Sequence, residues 1–137
     1  MNNLSAEYLD KCRKQLLVEQ TQSLADTSNW SHVDKQKVHA DWDVLYKKLA
    51  PLVDQAQPDS VGVQVLVEAH FEIACRFYRP SREAYIGMAL FYEENQNMKD
   101  FHNAYNPGMV AFMRRAMNVY AHQNLKSLTG SATQTPV

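Results

Sequence analysis

"HFEIACRFYRPSREAYIGMALFYEE", from His70 to Glu94, decides the fold. Apolar residues recur at helical spacing on both sides of Arg79-Pro80-Ser81, so the stretch reads as two helices split at the proline. The first of them extends back to about Val61. Leu66, His70, Ile73 and Phe77 make one stripe on it, and Val67, Phe71, Ala74 and Tyr78 make a second. Gln64, Glu68, Glu72 and Arg76 leave only a narrow polar strip, so this helix must meet neighbours on two sides and is the expected central element. On the other side of Pro80, Tyr85, Met88, Ala89 and Tyr92 fall at i, i+3, i+4 and i+7. Together the two segments carry more aromatic surface than packing one helix face needs. A filled core and a core with a hole for a flat aromatic ligand are both open readings of that excess.

The same periodicity runs outward in both directions. A first helix is expected from about Ser5 to Leu24, with Ser5 as N-cap and a weak stripe of Tyr8 or Leu9, Cys12, Leu16 and Gln20. The breakers in "ADTSNWSHVD" follow, and Ser31 with Asp34 has the form of a capping box. The second helix buries Val38, Trp42, Leu45 and Leu49, of which Trp42, Leu45 and Leu49 are assigned to structure, and Pro51 kinks or ends it. "DQAQPDS" is a loop in which Asp59 or Ser60 can cap the third helix. A short fifth helix carries Met98, Phe101, His102 and Tyr105 after the fourth ends at "EENQN". Asn106 caps a sixth with Pro107 at its first position, and Val110, Met113, Met117 and Tyr120 face inward on it. Nothing alternates as a strand does. The expected fold is all-α, a single-domain helical bundle.

Composition narrows the function classes. The 137 residues suit one domain with a modest core, and 45% hydrophobic with 21% charged residues is ordinary for a soluble globular chain. Fourteen Lys and Arg balance fifteen Asp and Glu. A phosphate-gripping surface would be more basic, so nucleic acid is not expected as a direct partner. Two distant cysteines, Cys12 and Cys75, form neither a disulfide framework nor a CxxC metal motif. "MNNLSAEYLDKCRKQ" has no apolar signal region, and no apolar run approaches the ~18 residues of a membrane span. A cytoplasmic chain without a membrane partner is expected.

Candidate chemistry is sparse. His70 on its apolar stripe reads three ways: a neutral core histidine, a polar handle in an apolar pocket, or a haem ligand. His32, His39, His102 and His122 show no metal spacing, so no metal or other cofactor is expected. Cys75 reads as a small hydrophobe rather than a thiolate. No carboxylate pairs with a nucleophile, and no phosphate loop is present, which offers no case for an enzyme. Six Met and seven Tyr remain, adaptable side chains and stacking faces with hydroxyls that seek partners.

"WDVLYKKLAPLVDQAQPDSVGVQVLVEAHFEIACRFY", "EAYIGMALFYEE" and "FHNAYNPGMVAFMRRAMNVYAH" together resemble the TipAS-type antibiotic-recognition domain, over roughly Val38 to His122. The marks are Trp42, His70, Tyr85, Tyr92, Phe101, Tyr105, Asn106-Pro107-Gly108, Ala116 and Tyr120 in that order. That domain is the effector half of certain MerR-like regulators and also occurs in albicidin-resistance proteins. The resemblance implies a globin-like fold with a crevice or tunnel that holds a bulky aromatic antibiotic. In the thiopeptide-binding member a cysteine captures the drug; it falls at about Gly87 here, so reversible binding is expected.

The implied organisation is an N-terminal helix over 1–30 as a possible lid, the binding domain over 31–125 and a disordered tail over 126–137. Stacking is expected from Phe71, Phe77, Tyr78, Tyr85, Phe101 and Tyr105, and polar contacts from His70, His102 and Asn103. Met88, Tyr92, Met113, Met117 and Tyr120 complete the expected ligand-binding set, and Trp30 is a lid residue or a plain anchor. The implied function is sequestration of an albicidin-like or thiopeptide-like antibiotic by a monomer or homodimer. The alternative is the ligand-sensing effector domain of a MerR-like regulator without its DNA-binding half.

Overall fold

A computed structural model describes residues 5–127. The expectation of a disordered tail over 126–137 falls almost wholly outside them. Six α-helices and no strand occur among the described residues: α1 Ala6–Asp26, α2 Lys35–Val53, α3 Val61–Ala74, α4 Arg82–Glu94, α5 Gln96–Asn103 and α6 Met109–Asn124. The all-α single-domain bundle expected from the periodicity is what the chain forms.

Helices α1, α4 and α5 each start on a local side-chain cap, of which Ser5 is the one expected from the sequence. Ser5 accepts the Tyr8 N–H, Ser81 that of Ala84, and Asn95 that of Met98. Three ends differ from expectation. Asp34, not Ser31, caps α2 through the Lys37 N–H. Ser31 instead lies in a turn in which Ser28, Asn29 and Trp30 all have left-handed φ, near 53°, 61° and 63°. α3 stops at Ala74 rather than Tyr78, because Arg76 N and Phe77 N turn back to the carbonyls of Ile73 and Ala74. Pro80 then holds the chain extended beyond. α6 begins after Gly108 and not Asn106. Asn106 still accepts the Gly108 N–H at Oδ1, at 2.8 Å, as a cap does, while its amide nitrogen donates to Ala50 O and Asp54 Oδ2 at the end of α2, both at 3.0 Å. Asn103 Oδ1 also serves α6, accepting the Val110 N–H at 2.9 Å.

The centre also shifts. α3 packs on α2 and α6, whereas α4 packs on α1, α5 and α6 and is buried without a break from Glu83 to Gly87. α4 rather than α3 is thus the most enclosed element, because α1 covers the face that would otherwise meet water. That docking depends on one residue. A Cβ at Gly87 would lie 2.4 Å from the Cys12 carbonyl oxygen, so α1 reaches α4 only where α4 has no side chain. Tyr8 OH to Glu83, a bidentate Arg13–Glu94 pair, and Glu19 accepting from Ser81 N and Oγ fasten the two along their length.

Candidate functional site

The aromatic residues of α2 to α6 divide into three groups. The deepest is a core triad. Phe71, Tyr85 and Tyr120 have ring centroids 5.1 to 5.9 Å apart, and Met113 and Met117 are buried with them.

Beside the triad lies a hydrogen-bonded set. His70, 1% exposed, faces the Tyr85 hydroxyl with Nδ1 at 2.8 Å and the Tyr92 hydroxyl with Nε2 at 3.2 Å. Both ring nitrogens are therefore satisfied inside the protein. Burial pushes the His70 pKa down to about 3, so the ring is neutral. One hydroxyl then donates to it and the other accepts. His102, also buried, places Nδ1 2.7 Å from Met98 O and Nε2 3.1 Å from Tyr46 OH. A carbonyl only accepts, so His102 Nδ1 carries the proton and Tyr46 donates to Nε2. Tyr92 stacks on His102 with centroids 4.2 Å apart, which joins the two histidines into one rigid cluster. His70 is thus satisfied as a core histidine is.

A third group encloses space. A crevice of about 170 Å3 opens between α1, α2, the end of α3 and α4. Leu16 and Gln20 of α1 form one wall and Met88, Phe91 and Tyr92 of α4 another. Trp42, Ala74, Phe77 and Tyr78 form the floor side, and Trp30 stands at the turn. Trp42 lies nearly parallel to His70, with centroids 5.3 Å apart, and to Phe77, at 6.3 Å. Trp30 meets the Phe77 ring edge-on at 4.9 Å and donates from Nε1 to Ser23 Oγ at 2.8 Å. His32 Nε2 lies 3.0 and 3.2 Å from the carbonyls of Arg76 and Phe77 and so donates to them, tying the turn to the end of α3.

Two residues that line the crevice each carry a buried polar atom with no hydrogen-bond partner among the described residues, Trp42 Nε1 and Tyr78 OH, as do Gln64, Glu83, Asn118 and His122 away from it. A larger groove of about 440 Å3 lies between α1, α4 and α6, lined by Glu93, Arg114 and Arg115 among others. None of the residues expected at the site lines it.

Of the expected ligand-binding residues, Phe77, Tyr78, Met88 and Tyr92 line the crevice, as does Trp30. His70 stands behind Trp42. Phe71, Tyr85, Met113, Met117 and Tyr120 belong to the buried core, and Asn103 is engaged as a cap. Phe101 and Tyr105 gather around Tyr46 at the other side of the cluster, where Tyr105 OH donates to Asp43 at 2.6 Å. Sequence reasoning missed Leu16, Gln20, Trp42, Ala74 and Phe91 as lining residues. Only the stripe spacing of Leu16 and Gln20 hinted at a buried role for α1.

Neither thiol favours attack on a ligand. Cys12 is fully buried on the face of α1 that meets α4 and its pKa is pushed up to about 11 by burial, and burial also raises that of Cys75. Among the described residues there is no cluster able to hold a metal ion, and no helix long and apolar enough to cross a membrane.

A family model described as the TipAS antibiotic-recognition domain matches residues 8–120. The chain is also similar to the HTH-type transcriptional activator mta of Bacillus subtilis (strain 168). The two are 28% identical over 121 residues, which are 85% of this chain and 46% of that protein. The chain therefore spans less than half the length of that relative. No solved structure matches it.

Proposed function

The chain belongs to the TipAS antibiotic-recognition domain family, whose model covers residues 8–120, and on that premise we infer that it binds an aromatic peptide antibiotic reversibly in the crevice between α1, α2 and α4. The carrying observation is that crevice, an aromatic-lined space with no charged residue in its lining. Binding without chemistry fits the lining, which supplies no nucleophile, and the two thiols are held protonated. An antibiotic of linked aromatic amides, albicidin-like, suits flat walls better than a globular guest does; a thiopeptide is the second candidate. Sequestration needs affinity alone, and a nanomolar complex corresponds to about 12 kcal/mol.

The crevice takes only a part of such a drug. An apolar cavity near 150 Å3 accommodates about one benzene ring, so about 170 Å3 holds one aryl unit. The remainder must lie across the mouth, or α1 and the 27–33 turn must move to admit it. This is the lid role proposed for the N-terminal segment and Trp30.

Similarity to an HTH-type activator favours a second reading, a ligand-sensing effector domain of a MerR-like regulator. The two differ in dose. Sequestration protects cells in proportion to the ratio of protein to drug, whereas an effector switches transcription at far lower protein levels. Trp30 and Trp42 both line the crevice, so their fluorescence reports its occupancy. Titration with a panel of aromatic peptide antibiotics should saturate at one equivalent and return the drug unaltered. Turnover of excess drug would establish an enzyme instead.

A further inference from the structure

Resting on the crevice reading above, we propose that Gln20 selects the ligand, its carboxamide pairing with an uncharged amide carried by the aryl unit that enters the crevice. Most polar groups of the lining are already engaged or enclosed. Tyr92 OH is bonded to His70 and Trp30 Nε1 to Ser23. Trp42 Nε1 and Tyr78 OH are sealed off from solvent. Gln20 is the exception: it is half-buried, its carboxamide bonds to no described residue, and both of its polar atoms stay accessible.

The helix places that carboxamide over the space. Leu16, Gln20 and Ser23 lie at i, i+4 and i+7, on one face of α1. Leu16 and Ser23 are 7% and 8% exposed, so this is the face turned toward the protein. Gln20 stands between them and yet keeps accessible surface, because the crevice opens in front of it. Its backbone is pinned on both sides: Glu19 accepts from Ser81 N and Oγ, and Ser23 accepts from Trp30. The last torsion of a glutamine is soft, so the carboxamide can meet a ligand amide in either sense.

Chemistry and size complete the class. No residue lining the crevice is charged, so an ionised ligand group would lose its hydration without gaining a counter-charge. An amide matches a carboxamide at both ends: Nε2 donates to its carbonyl oxygen and Oε1 accepts from its N–H. A primary amide engages both at once, and an amide within a chain engages one. A ketone offers an acceptor only, and a hydrocarbon offers neither. In an apolar crevice without Gln20, the amide would be the costliest of these to desolvate and would bind worst. Gln20 reverses that order. The volume of about 170 Å3 takes one ring with a small substituent, so the amide sits on the ring.

The test uses the full chain with its glutamine amides, indole nitrogens and methionine methyls isotope-labelled, titrated with benzamide, acetophenone and ethylbenzene. The probes have nearly the same shape and differ in what they offer a carboxamide. Benzamide should bind tightest and move the Gln20 amide protons downfield, while ethylbenzene leaves them in place. All should shift the Met88 methyl signal. Gln20→Met keeps an unbranched side chain on the helix. In it benzamide should lose about five- to tenfold in affinity and fall below ethylbenzene, whose own affinity should change less than about twofold. Benzamide binding weakest in the wild type, or losing no more than ethylbenzene in Gln20→Met, overturns the proposal and leaves the crevice standing. Gln20 amide protons that stay unmoved while Met88 responds overturn it too, even if Gln20→Met fails to fold. No response of Met88 or either indole to any probe refutes the crevice reading and this proposal with it.

Discussion

At the scale of single residues, His70 and Tyr85 show how a site residue and a core residue share one spacing. Both lie on apolar stripes, and periodicity reports that such positions are buried but not what their polar atoms find. The structure gives each the other as partner at 2.8 Å, so Tyr85→Phe should cost about 1–3 kcal/mol of stability by leaving His70 Nδ1 short of a hydroxyl. Urea unfolding should show a lower midpoint with an unchanged slope. An unchanged midpoint would mean that water replaces the hydroxyl at no cost. Trp42 teaches the same lesson in reverse: its i, i+4, i+7 spacing with Val38, Leu45 and Leu49 reads as core, and only three-dimensional placement reveals an N–H without a partner. The buried histidines also predict a pH dependence. Burial lowers the pKa of His70 to about 3 and also lowers that of His102, from ordinary values of 6.5. The unfolded chain therefore takes up protons at these sites first as the pH drops. Stability is whole above 6.5 and is lost as pH falls below it, with a slope of up to about 1.4 kcal/mol per pH unit for each such histidine. Asp41, Asp43 and Glu94, whose pKa values are lowered by hydrogen bonds to Lys37 and Arg76, Tyr105, and Arg13, lose their contribution only in the lower carboxylate range. Urea midpoints between pH 7.5 and 5 isolate the histidines, and His70→Gln should flatten the curve. An identical slope in that variant would contradict a neutral His70.

At the scale of the elements, all six helices were legible because apolar residues repeat with their period, while three of their ends were not. Asn106 uses the local chemistry of an N-cap, Oδ1 accepting the Gly108 N–H, yet its amide nitrogen ties it to the end of α2, and Asn103 supplies the first turn of α6 from the preceding helix. Such exchanges are tertiary, and no window of sequence contains them. The docking of α1 was equally hidden. Its stripe is weak, and its main contact is made at a glycine, which periodicity scores as nothing. Gly87→Ala tests that docking with a clean sign. Away from a neighbour, alanine in a helix interior is favoured over glycine by ~1 kcal/mol. Here the added Cβ would overlap the Cys12 carbonyl, and overpacking of this kind costs about 1–3 kcal/mol. The variant should lose stability, and α1 amides should lose hydrogen-exchange protection while those of α3 and α6 keep theirs. A gain in stability would show that α1 does not sit on α4 as described. The same geometry bears on covalent capture. The position where the family resemblance puts a capturing cysteine lies under α1, and a side chain there would displace the helix.

At the scale of the whole molecule, the crevice marks a seam. α1 packs chiefly on α4, α2 pairs with α3, and the open space lies where these two sets meet. The 27–33 turn bridges them: Trp30 is tied to α1 through Ser23 and rests on Phe77, while His32 holds the carbonyls at the end of α3. Three successive non-glycine residues in left-handed conformation cost about 1–2 kcal/mol each, so the turn keeps its shape only while those ties hold. A bridge under strain, fastened by a few contacts at the mouth of a pocket, is suited to control escape of a ligand. Trp30→Ala removes both the Ser23 bond and the ring contact but leaves the Trp42 floor untouched. For an aromatic peptide antibiotic that saturates the protein at one equivalent, dissociation should quicken about tenfold, the equivalent of one lost aromatic contact. Association should change little, since the mouth is then wider rather than differently shaped. Trp42 is the remaining tryptophan in that variant, so its fluorescence follows both rates in stopped flow without ambiguity. If dissociation is unchanged while the melting temperature falls, Trp30 anchors the turn and does nothing for the ligand. If both rates rise together, the turn obstructs entry as much as escape, and the barrier to binding lies in opening the seam between α1 and the α2–α3 pair.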